Sequence, residues 1–492
     1  MICTIDEFDY NWFRQLPLQH RKKGNQGTKQ QKYYYVDIVT AFDIETTYIK
    51  EIDNSVMYIW QWQFGDKCTV IGRTWHELRV FLEELKEILK DNRLFVGVHN
   101  LSFEFQYLSG VFSFNKDDVF CTDHRKILKA LLNDSFEFRC TYLQTNMSLR
   151  AFCEKMGVKS YKLKLNYKKR RYWYTELSSR ELAYCVNDVK GLVEAITKEM
   201  ERDNDNFYTI PLTSTGYARR DAKAAMRKVS KAFIKNQLPE VAVYEMLREA
   251  FRGGNTHASR FYSGQIVEDP DSMDLASAYP AEILLGDMPV SKFTILKSCD
   301  LKKLEDLIFK KHKAVLFRCR LFNVELIDDL IPVPYLATSK CRGIVDGAYD
   351  NGRILSAAVI AETTLTDLDY RILKKQYKFD IEIVKVASAR YGKLPAPLRD
   401  VVLKYYKDKT ELKNKPGDAE HTKEFYKLLY DKQKNLLNAQ FGMMAQSIKD
   451  MVKYINFTDD KREKMYDEEG TPLEKLVEDH NKKAYLAYQW GV

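Results

Sequence analysis

The fold class the sequence predicts is an α/β domain, then a second α+β region, then a largely helical stretch. Three observations predict it. Strand-like and helix-like periodicities alternate between residues 33 and 200. A polar break at Glu201 to Asn206 ends that alternation, and Gly253–Gly254 and Pro270 punctuate the passage into the second region. From Leu398 to Met444 the spacing is helical, interrupted by Pro416–Gly417.

Element by element, Tyr33 to Phe42 (YYYVDIVTAF) is β-branched and aromatic and predicts a strand. Met57 to Phe64 predicts a second, and Val70–Ile71 a third. Thr74 to Lys90 repeats Leu78, Phe81, Leu82, Leu85, Ile88 and Leu89 at helical spacing. Leu94 to Val98 reads as a short buried strand, and Ser179 to Met200 as a helix with Glu181 in its first turn. Lys302 to Lys311 predicts a helix, whereas Leu321 to Leu330 fits either regular structure. There is no internal repeat and no low-complexity tract.

At 492 residues the chain has room for about three domains. Hydrophobic residues at 45% and charged residues at 30% are ordinary for a globular protein. No apolar run approaches the ~18 residues of a membrane span, which excludes a membrane partner. Asp6, Glu7 and Asp9 exclude a secretory signal, so the expected location is cytoplasmic, a host cytoplasm if a phage encodes the chain. Nine cysteines stand singly with no Cys-x-x-Cys, which argues against structural zinc or disulfides.

The net charge of +9 says less than its distribution. Arg21, Lys22 and Lys23 open a segment that reads as a mobile basic arm over residues 1–32. Lys159 to Arg171 holds Lys162, Lys164, Lys168, Lys169, Arg170 and Arg171 with Tyr161 and Tyr167, and no acid. Arg219 to Lys235 carries seven cations on a predicted helix. One such stretch is ordinarily a solvated face. Cations mixed with rings are also what a single-strand channel uses.

Asp43 and Glu45 lie two apart at the end of a predicted strand, so both side chains leave one face. His99 to Glu104 follows another strand, and Tyr184 and Asp188 sit four apart on one helical face. Asp43, Glu45, Glu104 and Asp188 could therefore converge on two divalent ions. Paired hard cations stabilise attacking and leaving oxygens in phosphodiester hydrolysis, and they prefer oxygen ligands. Tyr184 would orient the attacking water. Each piece alone is weak, because Asp-x-Glu is usually a solvated strand end; order and setting together are not.

Phe42-Asp43-Ile44-Glu45-Thr46, Asn100…Phe103-Glu104 and Tyr184-Cys185-Val186-Asn187-Asp188 resemble the three 3′–5′ exonuclease motifs of the protein-primed phage family B DNA polymerases. The second motif ordinarily supplies Asp; Glu104 is one methylene longer and still a hard ligand. The resemblance implies a ribonuclease-H-like exonuclease domain over 33–200 and a two-metal centre using Mg²⁺ or Mn²⁺. It implies that Thr46, Asn100 and Phe103 contact the single-stranded 3′ end, that Ser148–Leu149 also binds DNA, and that Lys162 stabilises the scissile phosphate.

Phe251-Arg252-Gly253-Gly254 resembles the family's Tyr-x-Gly-Gly linker, a DNA-binding element, with Phe in the Tyr position. Met273 to Pro280 (MDLASAYP) resembles polymerase motif A, which would make Asp274 a metal ligand, Ser277 part of the triphosphate site and Tyr279 the residue that excludes a 2′-hydroxyl. Lys434 to Gly442 (KNLLNAQFG) resembles motif B, with Lys434, Asn438 and Gly442 along one helical stripe. Lys409 or Lys427 could add a second triphosphate contact, although a plain surface lysine is the ordinary reading of either. The organisation implied is a linker and first part of an incomplete palm at 201–290, an insertion at 291–395, fingers at 396–445 and the start of a return to the palm at 446–492.

A polymerase also needs a second metal carboxylate, normally in Tyr-x-Asp-Thr-Asp. Asp459–Asp460 is the nearest match, but Lys461 to Lys464 follows it, so it reads as a charged turn. The expectation is a truncated or split proofreading polymerase acting in phage DNA replication. Its partners would be primer–template DNA, dNTPs, a C-terminal polymerase fragment and, by resemblance alone, a terminal-protein primer. The alternatives are a stand-alone 3′–5′ exonuclease and a non-catalytic DNA-binding remnant.

Overall fold

The computed structural model describes residues 1–19, 33–121, 126–158, 165–166, 169–418, 422–444, 448 and 472–483. They divide into two compact units, the first built mainly on residues 1–217 and the second mainly on 218–411.

The first unit is an eight-stranded mixed sheet. Its spatial order is Ile2–Cys3, Cys68–Gly72, Asn54–Phe64, Thr40–Ile49, Leu94–Val98, Phe136–Cys140, Ile127–Leu132 and Val119–Cys121. Thr40–Ile49 runs antiparallel to Asn54–Phe64 and parallel to Leu94–Val98, which is itself parallel to Phe136–Cys140. Leu94–Val98 and Phe136–Cys140 are buried at every position, as strands covered on both faces must be.

Strand parity decides which residues meet which helix. Phe42 and Ile44 point into a core with Trp60, Trp62, Phe64 and the Trp75–Leu89 helix, which contributes Leu78, Phe81, Leu82, Leu85 and Leu89. Ala41 points the other way, into a core with Phe95, Val189, Leu192 and Ile196 of the Ser179–Asp203 helix. A period of two therefore sends Asp43 and Glu45 toward that second helix. The approach there is close: a Cβ on Gly97 would lie 2.6 Å from Ile196 Cδ1. Capping boxes start both helices, Thr74 with Glu77 and Ser178 with Glu181.

Two expectations need correction. The Tyr33–Phe42 strand does not form as one piece; Tyr35–Val36 pairs with Leu18–Gln19, and the main strand begins at Thr40. The reason is a turn, in which Ile38 N–H donates to Val36 C=O at 2.8 Å. Asp43 and Glu45 thus lie in mid-strand, held there by pairing with Asn54–Phe64. Residues 1–19 are not an arm: Ile2–Cys3 closes the sheet edge and Phe8 and Phe13 are buried. Residues 20–32 lie outside the described residues.

The second unit centres on an antiparallel sheet ordered Thr294–Ile295, Tyr377–Ala389, Ala314–Leu326, Arg353–Thr366 and Cys341–Val345, with Ala348–Asp350 also on Arg353–Thr366. The expected Lys302–Lys311 helix appears as Leu301–Glu305 continuing into a wider π turn, and of the ambiguous Leu321–Leu330 the part up to Leu326 joins a strand. Pro416–Gly417 separates helices Ala396–Leu412 and Lys423–Met444. Among the described residues no helix is long and apolar enough to cross a membrane.

Candidate active site

Carboxylate oxygens of Asp43, Glu45 and Asp188 all lie within 4.8 Å of one another. Two come from mid-strand and one from the third turn of the Ser179–Asp203 helix, and Glu45 and Asp188 are buried. A register shift at Glu45/Thr46 leaves Tyr58 as the extra residue on the neighbouring strand. That ring packs with Tyr184 and Cys185 beneath the cluster. Burial and then the Glu45 carboxylate raise the Tyr58 phenol above its ordinary range.

Glu104 is not one of the converging three. It sits in the first turn of the Leu101–Val111 helix, 3% exposed, with its carboxyl against Asp43. Burial, then the Asp43 charge, push Glu104 well above the ordinary carboxylate range. Its Oε2 is buried with no hydrogen-bond partner. A set of buried oxygen donors with one such oxygen fits a hard divalent cation, whose charge would reverse that upward push.

Gln61, which the sequence did not single out, completes the arrangement. It lies directly across from Asp43 in the sheet and donates from Nε2 to Asp43 Oδ2 at 2.8 Å. The only signal that could have found it is register, since strand pairing cannot be read from spacing along the chain.

Around the cluster, Asn100 adopts a left-handed backbone (φ 73°) at the head of the Glu104 helix, and Phe103 stands 39% exposed in its first turn. Thr46 is half-buried. Ser148 accepts from Ala151 N–H at 3.3 Å as a helix cap, and Leu149 packs partly into the core beside Phe152. Tyr184 is buried one helical turn before Asp188. Lys162 lies outside the described residues.

In the second unit, Tyr279 stacks on Phe441 with ring centroids 4.2 Å apart and planes at 24°. A Cβ on Gly254 would lie 3.2 Å from the Tyr279 hydroxyl, so a side chain there would crowd the ring. The linker glycine and parts of both polymerase-like motifs thus meet. Ser277 holds a left-handed backbone (φ 57°) before the Ala278–Leu285 helix and receives a hydrogen bond from Lys409 Nζ at 2.5 Å. Lys409 is therefore half-buried and engaged with this segment, not a plain surface lysine. Lys434, Asn438 and Gly442 form an exposed stripe opposite buried Leu436, Leu437 and Met444, and Asp274 and Gly253 are exposed. Arg252 turns inward, 3.3 Å from Asp369 and over the Tyr335 ring. Asp459–Asp460 and residues 484–492 lie outside the described residues.

No curated protein matches the chain by sequence. Among solved structures, it resembles Phi29 DNA polymerase complexed with primer–template DNA and incoming nucleotide substrates, at 16% identity and TM-score 0.62, over 84% of this chain and 68% of that one. It also resembles Phi29 DNA polymerase complexed with single-stranded DNA, at 14% identity and TM-score 0.63, over 86% and 70%. These likenesses establish the fold, a ribonuclease-H-like sheet followed by palm and fingers elements. A 3′–5′ exonuclease family model matches residues 28–204. A model for DNA polymerase type B, organellar and viral, matches residues 117–485, well over half of the sequence. The chain belongs to the organellar and viral type B DNA polymerases and contains a 3′–5′ exonuclease domain.

Proposed function

We propose that Asp43, Glu45, Asp188 and Glu104 form the centre that removes nucleotides from a DNA 3′ end, proofreading synthesis from primer–template DNA and dNTPs. The observation that supports this most strongly is the meeting of strand and helix carboxylates within 4.8 Å in a buried setting. Mg²⁺ or Mn²⁺ would supply charge stabilisation to attacking and leaving oxygens there. Asp43, Glu45 and Asp188 would hold the ions, and Glu104 would add an oxygen at Asp43's side. The Tyr184 hydroxyl orients water. Thr46, Asn100, exposed Phe103 and the Ser148–Leu149 segment receive the unpaired 3′ terminus, with Lys162 assigned to the scissile phosphate by resemblance.

On the synthesis side, Asp274 would hold the metal, and Lys409, Ser277 and the Lys434–Asn438–Gly442 stripe bind the incoming nucleotide. Tyr279, braced by Phe441 and Gly254, is the ring that excludes a 2′-hydroxyl. Gly253 and Gly254 track the DNA backbone; Arg252 braces the linker through Asp369. A terminal-protein primer enters by resemblance alone.

The test is digestion of a 5′-labelled single-stranded oligonucleotide. Wild-type protein should shorten it from the 3′ end. Asp43→Ala should slow this about a thousandfold, the factor that ~4 kcal/mol of transition-state stabilisation represents. Undiminished trimming by Asp43→Ala rules the assignment out.

A further inference from the structure

We propose that Tyr172, Trp173 and Tyr174 form a stacking platform for the unpaired bases of single-stranded DNA upstream of its 3′ end. The inference rests on the exonuclease reading for its place in the reaction and extends it to a second binding surface. Trp173 is 59% exposed and Tyr174 67% exposed, more than a soluble surface ordinarily grants large rings. They are already ordered. Tyr172 and Tyr174 stack with centroids 5.4 Å apart and planes at 6°, and Trp173 stands edge-on to Tyr174 at 5.5 Å.

The loop beneath them is fastened from both sides. Arg73 Nη2 donates to Tyr172 C=O at 2.9 Å and Thr175 C=O at 2.8 Å, while its Nε donates to Tyr58 C=O at 2.7 Å. Tyr172 N–H donates to Thr175 Oγ1 at 2.8 Å. Rings held this way lose little further freedom when a base stacks on them, which favours binding.

Three cations precede the rings. Lys169 and Arg171 share Glu181, at 2.9 and 2.7 Å, and Arg170 reaches Glu51 at 2.8 Å. With exposed Arg180 and exposed Glu176 included, four positive charges against three negative ones leave the base of the platform positive. Rings beside cations suit a phosphate-linked chain of bases better than a neutral apolar partner. The position also suits it. Arg171 N–H donates to Thr47 Oγ1 at 3.5 Å, two residues beyond Glu45, and Glu181 opens the helix that carries Asp188. A strand ending at the carboxylates would have its next bases within reach of this loop.

The experiment is fluorescence anisotropy of a labelled 20-nucleotide oligo-dT, in EDTA so that hydrolysis plays no part. Trp173→Ala/Tyr174→Ala should weaken binding about tenfold or more, while Trp173→Phe/Tyr174→Phe retains most of it. A duplex of equal length should lose little affinity in either variant. Unchanged oligo-dT binding in the alanine variant, equal losses on duplex, or a phenylalanine variant as defective as the alanine one would each overturn the proposal. If wild-type protein trims nothing yet the alanine variant still loses oligo-dT binding, the platform stands and the exonuclease reading falls.

Discussion

Asp43 receives a hydrogen bond from Gln61 at 2.8 Å, which fixes the direction of one carboxylate oxygen before any cation arrives. Partners of this kind typically change metal affinity or activity about 10–100-fold when removed. Gln61→Leu should therefore lower 3′ trimming by about that factor and raise the Mn²⁺ concentration needed for half-maximal rate, with thermal stability little changed. Wild-type rate and Mn²⁺ dependence in Gln61→Leu would show that the bond has no role. At this scale the sequence was legible where chemistry recurs at fixed spacing. Asp43 with Glu45, and Tyr184 with Asp188, declare themselves by one-face geometry. Gln61 does not, because its partner lies across a sheet, and Lys409 was named as a candidate contact whose partner Ser277 spacing could not supply. Glu104, expected as a fourth ligand, lies against Asp43, next to the three carboxylates that approach within 4.8 Å of one another.

Elements place the cluster, and buried charge holds one of them in register. Glu137 on Phe136–Cys140 is buried against Arg139 at 2.6 Å, Arg93 at 3.1 Å and Lys129 at 3.5 Å. Burial alone would raise its carboxyl, but Arg139 and Lys129 bring it down to about 2. A folded pKa below the unfolded value of ~4.3 means stability present above that pH and lost as pH falls toward about 2. Glu137→Gln should destabilise the first unit by about 3–5 kcal/mol at neutral pH, since it strands Arg139 without a countercharge. Urea unfolding followed by the buried Trp60 and Trp62 measures this, and the difference between variant and wild type should shrink on acidification. A difference undiminished at pH 2.5 would contradict the linkage. Helices with strong period and caps were legible, Trp75–Leu89 and Ser179–Asp203 above all. The Tyr33–Phe42 strand was not, because a turn at Val36–Ile38 competes with its β propensity. Leu321–Leu330 was ambiguous because its apolar spacing fits both periods until Arg353–Thr366 and Tyr377–Ala389 pair on either side.

For the molecule as a whole, the alternation of strand and helix predicted the first unit, and the antiparallel sheet of the second fills the stretch expected as an insertion between the two polymerase motifs. What spacing could not show is that Ile2–Cys3 completes the first sheet, since nothing local marks a two-residue edge strand. The central claim concerns long-range folding: a strand near the N-terminus and a helix far along the chain bring Asp43, Glu45 and Asp188 to one point whose oxygens could hold a metal ion. Electron paramagnetic resonance of Mn²⁺ titrated into the purified protein tests it most directly. Wild-type protein should remove free Mn²⁺ signal saturably, and Asp43→Asn and Asp188→Asn should each weaken that binding at least tenfold. Equal Mn²⁺ binding by wild type and both variants would contradict it.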